Sequence, residues 1–221
     1  MISTMMPDAI MREFCAENFT EVPRVVAAGV DRIELCDNLT VGGTTPSYGV
    51  IAASAREIAE NAKVTGRTPT VLSVMIRPRG GDFVYDDAEL AIMATDIAAA
   101  KDAGAASLVF GVLDSHGNLN VPAMRELVSR AGDTPVVCHM AFDYVNDPSA
   151  ALEQLIDLGV SLVLTHGAPG GEPLGVSRIA QLIKQADGRI DLMIGGGVTA
   201  DTYGEFCELT GAKFAHGTKI I

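Results

Sequence analysis

Tryptophan is missing from this chain, and aromatic residues make up only 5% of its 221 positions. A core of ordinary size must therefore be assembled from Val, Ile, Leu, Ala and Met. Basic residues are also scarce: 16 Lys and Arg stand against 28 Asp and Glu, so the net charge is 16 − 28 = −12. A surplus of acid repels phosphate backbones and anionic lipids, which argues against nucleic acid and membrane surfaces as partners. No apolar run approaches the roughly 18 uninterrupted residues of a membrane span. The stretch Met1–Ile10 has neither a basic start nor a continuous apolar segment, so no secretory leader is read there. The cysteines (Cys15, Cys36, Cys138 and Cys207) form no CxxC or CxH cluster, which leaves zinc-finger and iron–sulfur centres without support. They are expected to be reduced thiols in the cytoplasm.

What the chain does have is alternation. Short apolar runs are predicted as strands at Met11–Ala16, Arg32–Cys36, Val71–Arg77, Ser107–Leu113, Val136–Phe142, Ser161–Thr165, Asp191–Gly195 and Lys213–Thr218. Amphipathic stretches between them predict helices at Thr20–Ala28, Tyr48–Lys63, Asp86–Ala103, Val121–Arg130, Pro148–Leu158, Val176–Ala186 and Ala200–Thr210. Gly29, Gly104, Gly159 and Gly211 each follow a helix and precede a strand, where glycine takes the left-handed cap conformation at little cost. Ser47 and Asp147-Pro148 read as helix starts. Eight such units with right-handed crossovers close into a parallel α/β TIM-type (β/α)₈ barrel, expected as one domain over residues 1–221. The eighth helix is missing, because the sequence stops just after the last strand. A doubly wound open sheet is the alternative, but Glu17–Thr20 after the first strand is not the glycine-rich phosphate loop that fold favours.

Function in a parallel barrel gathers at the C-terminal ends of the strands. Strand parity turns Glu13 and Cys15, Arg32, Glu34 and Cys36, Ser73, Met75 and Arg77, and His139, Ala141 and Asp143 inward. Glu34, Arg77, His139 and Asp143 are thus the candidate catalytic groups. Either they plug the barrel as a structural network of the Glu34–Arg77 type, or they line a polar pocket for a small molecule or ion. Gly195, Gly196 and Gly197 follow the seventh strand, where barrels often hold phosphate, and His216 ends the eighth. Cys15 and Cys36 lie late on adjacent strands, which run about 4.8 Å apart. Two thiolates at that spacing suit a soft monovalent ion, with Met75 next to them. Buried packing is the other fate open to both.

Several segments together resemble the CutC copper homeostasis family. They are Arg32-Ile33-Glu34-Leu35-Cys36, Gly42–Gly49 and Met75–Phe83, then Phe110–Leu113, His139 with Ala141-Phe142-Asp143, Leu164-Thr165 and Gly195–Val198. They run in order over roughly residues 11 to 218. The resemblance implies a TIM barrel, a cytoplasmic protein that forms a homodimer or larger homo-oligomer, and a role in copper handling with Cys15 and Cys36 as Cu(I) ligands. The chain departs from the family pattern at Met140, where many relatives have Arg, and at Thr165-His166-Gly167-Ala168, where many have Thr-Ser-Gly-Gly. Two further functions stay open: an enzyme acting on a small phosphate- or carboxylate-bearing metabolite, and a scaffold whose charged mouth is inert.

Overall fold

The computed structural model describes residues 10–169 and 173–221; Met1–Ala9, including most of the stretch in which no leader is read, lies outside them. The strands are β1 Met11–Glu17, β2 Arg32–Cys36, β3 Val71–Met75, β4 Ser107–Val109, β5 Val136–Cys138, β6 Leu162–Thr165, β7 Asp191–Ile194 and β8 Phe214–Gly217. The helices between them are α1 Val22–Ala28, α2 Tyr48–Thr65, α3 Asp87–Ala103, α4 Val121–Ala131, α5 Pro148–Asp157, α6 Val176–Ala186 and α7 Tyr203–Thr210. Each strand pairs in parallel with the next, and β8 pairs with β1, so the sheet closes as a TIM barrel. No helix follows β8.

The local signals act as expected. Ser47 and Asp147 accept hydrogen bonds from the Val50 and Ala150 N–H groups at the starts of α2 and α5. Asp86 and Glu89 form a reciprocal capping box at α3. Gly104 takes φ +106 as α3 ends, which releases the chain into β4.

Alternation along the strands separates two apolar layers. Ile33, Leu35, Leu72, Val74 and Leu108 face the helices and merge with Ile97, Leu127 and Ile179. Cys15, Cys36, Met75, Val109, Val137, Leu162, Leu164 and Met193 fill the barrel. No helix among the described residues is long and apolar enough to cross a membrane.

Six strands are shorter than predicted, β6, β7 and β8 by one or two residues and β3, β4 and β5 by two to four. β3, β4 and β5 stop at Met75, Val109 and Cys138, and Met140–Tyr144 turns into a 3₁₀ helix capped by the His139 side chain. Apolar residues continue past each strand because the loops are buried too, so hydrophobicity alone does not mark where pairing ends. Parity holds as far as His139 and has no meaning beyond it.

Candidate metal centre at the barrel mouth

Strand register builds the site. Glu13 lies opposite Arg32 on β2 and His216 on β8, while Cys15 lies opposite Glu34. Cys36 comes two residues after Glu34 on the same inward face. The Glu34 carboxyl therefore sits between the thiols: its Oε2 is 3.4 Å from Cys15 Sγ and 3.6 Å from Cys36 Sγ. His216 Nε2 approaches the same oxygen at 3.7 Å, and its Nδ1 lies 3.0 Å from Glu13 Oε1. Below this layer Arg32 donates to Glu13 at 2.8 Å and to Ser73 Oγ at 2.7 Å.

Two overlapping sets of buried donor atoms, Cys15, Glu34 and Cys36 and then Glu13, Glu34 and His216, lie within 4.8 Å of one another. Cys36 is 0% exposed, Glu13 0% and Glu34 3%. Charge at this depth must be balanced locally. The hydrogen bond from the Cys36 thiol, helped by His216 and Glu34, outweighs burial and holds Cys15 well below the usual thiol range. That same bond to Cys15, together with burial, keeps the proton on Cys36 far above it. Burial likewise pushes Glu34 well above the carboxylate range. For Glu13 burial opposes charge, but His216 and Arg32 outweigh it and leave the carboxyl below its ordinary value. Burial also opposes charge on His216, yet Glu34, Cys15 and Glu13 together raise it well above the imidazole range. The shifts thus favour the charged forms of Cys15, Glu13 and His216 and the neutral forms of Glu34 and Cys36.

Arg77 is buried at the mouth but does not pair with Glu34. Its guanidinium donates to the carbonyls of Val41, Gly43 and Gly81 at 2.8, 2.9 and 2.8 Å and stacks on Phe83. It ties the loops after β2 and β3 together, and the first of these runs over the thiols. A Cβ on Gly43 would lie 3.0 Å from Cys36 Sγ and 3.6 Å from the Met75 methyl, and φ there is +86. Glycine is what lets that loop close down on the thiols.

Asp143 is likewise apart from the cluster. It accepts hydrogen bonds from the Thr165 hydroxyl and from the His166 and Gly167 N–H groups, and so fixes the loop after β6. His139 lines the same cavity as Cys15, Glu34 and His216. Its Nδ1 accepts from the Ala141 N–H at 3.2 Å, so its Nε2 carries the hydrogen. Gly195 is buried, and Gly196 and Gly197 follow it along the rim. α7 begins at Tyr203, three residues later than predicted, beyond a bridge between Thr199 and Lys219. His166 is named from the sequence only within a departure from the family pattern and not as a site residue, yet its Nδ1 lies 2.9 Å from the Gly195 carbonyl and its ring packs under Gly196.

Burial, reinforced by Arg77, lowers the His139 pKa to about 3. The folded value lies below the unfolded one of about 6.5, so the unfolded chain binds the extra proton between them. The stabilisation is whole above pH 6.5 and is lost as pH falls toward 3, at about 1.4 kcal/mol per pH unit. Urea unfolding at pH 7 and pH 5 should show a loss roughly 2 kcal/mol larger for the native chain than for His139→Gln. Equal losses in the two proteins would remove His139 as the cause.

Residues 10–221 match the CutC family. A protein named CutC from Streptococcus pyogenes is 46% identical over 216 residues, covering 96% of this chain and all of that one. The human copper homeostasis protein cutC homolog is 40% identical over 209 residues, covering 95% of this chain and 73% of its own length. The crystal structure of CutC from Streptococcus agalactiae superposes with a TM-score of 0.90 at 44% identity, over 96% of this chain and all of that one. The chain belongs to the CutC family.

Proposed function

We propose that this protein carries a single Cu(I) ion between Cys15 and Cys36 and takes part in copper handling in the cytoplasm. One observation carries the reading: two buried thiols converge on one carboxyl oxygen, at 3.4 and 3.6 Å. Thiolates are soft donors and select Cu(I) over the hard cations that carboxylates and water favour. The Met75 thioether, which adjoins Cys36, adds a third soft donor of the same class. The neighbours of Cys15 favour its thiolate form, and metal binding displaces the proton that burial and Cys15 favour on Cys36. The name of the human relative supports the copper assignment. Four free cysteines support a reducing compartment, where thiols persist and copper is held as Cu(I).

The test is an anaerobic titration of metal-free protein with Cu(I) in competition with a chromophoric Cu(I) chelator. One equivalent per chain should be withdrawn from the chelator before its colour develops. Colour that develops from the first addition, as in a blank without protein, would contradict the proposal.

A further inference from the structure

The cavity above the thiols is far larger than a metal ion needs. It encloses about 490 Å³, and its far wall is formed by the loops after β7 and β8. That wall is rich in unused donors. The N–H groups of Gly196, Gly197 and Val198 donate to no carbonyl among the described residues. Gly197 takes φ +83 with nothing within 4 Å of where a Cβ would stand, so a ligand can come directly against the backbone. Thr218 and Lys219 complete the wall; both are exposed, and Lys219 makes no ion pair among the described residues although the chain carries a net charge of −12. On the near side stands His139, 4% exposed, whose Nε2 has no hydrogen-bond partner among the described residues. Buried polar atoms are rarely left so, and its fixed tautomer makes this one a donor.

We infer that this cavity binds a small phosphate monoester. Its phosphate sits against the Gly196–Val198 backbone, Thr218 and Lys219, and its organic body extends toward His139. Three N–H groups, a hydroxyl and an ammonium offer more donors than the two oxygens of a carboxylate can use, whereas the three terminal oxygens of a phosphate can take them all. The loops after the seventh and eighth strands are also where parallel barrels most often hold phosphate. The site shares no donor with the proposed Cu(I) ligands, so each reading stands or falls alone.

Calorimetric titration of the metal-free protein with ribose 5-phosphate, and separately with inorganic phosphate, tests the proposal. Ribose 5-phosphate should bind one per chain, at least tenfold more tightly than inorganic phosphate. Lys219→Glu and Thr218→Asp, both at exposed positions, should each weaken both probes tenfold or more while Cu(I) uptake stays as in the native chain. His139→Phe should weaken ribose 5-phosphate and leave inorganic phosphate unchanged. Absence of saturable binding by ribose 5-phosphate, or affinities untouched by both exposed substitutions, overturns the inference.

Discussion

Glu13→Ala is expected to destabilise the protein by about 3–5 kcal/mol, the usual cost of removing one partner from a buried ion pair. Glu13 is 0% exposed and is shared by Arg32, His216 and Ser73. Its loss leaves the Arg32 guanidinium and the His216 imidazole without their shared carboxylate inside the barrel. At roughly 2–4 °C per kcal/mol for a chain of this size, the midpoint should fall by about 6–20 °C. Glu13→Gln keeps the shape and one acceptor oxygen, so it should lie between the two. The pair also joins β1 to β8 across a sequence separation of 203 residues, so its loss weakens the seam at which the barrel closes. Calorimetric or urea unfolding of the three proteins decides the point, and a change below about 1 kcal/mol for Glu13→Ala would show that the network is not structural.

The second large effect concerns copper. Cys15→Ser and Cys36→Ser should each weaken Cu(I) binding by more than a hundredfold, because altering only the outer partners of a metal ligand typically costs 10–100-fold. The double variant should retain no copper against the chelator. Glu34→Gln should fall within the outer-partner range of about 10–100-fold, since it keeps the shape between the thiols but changes the proton inventory. Cys138→Ser should leave binding unchanged: that thiol faces the helices, where burial pushes its pKa up to about 12. If the single serine variants bind as tightly as the native chain, the thiols are packing residues.

The two strands that carry the site were also the easiest to read. β1 and β2 are regular along their whole predicted lengths, so alternation alone places Glu13, Cys15, Glu34 and Cys36 inward. What alternation could not supply was register. Cys15 lies opposite Glu34 rather than Cys36, and that offset is what puts a carboxyl between the thiols. Arg77 is expected among the candidate catalytic groups because it follows β3 on the inward face. Its long side chain instead reaches carbonyls 34 and 36 residues away, contacts that no local pattern encodes. Asp143 was misplaced for another reason. The chain leaves extended geometry at Met140, where Ala141 and Phe142 are buried as strand residues would be, so strand parity does not extend into the 3₁₀ turn.

X-ray absorption at the copper edge, on protein loaded anaerobically with one equivalent of Cu(I), tests the metal centre most directly. The expected spectrum is that of Cu(I) with a first shell dominated by sulfur, and that shell should disappear in the Cys15→Ser, Cys36→Ser double variant. A first shell of nitrogen and oxygen alone, or a spectrum identical in the double variant, would contradict the assignment of these two thiols.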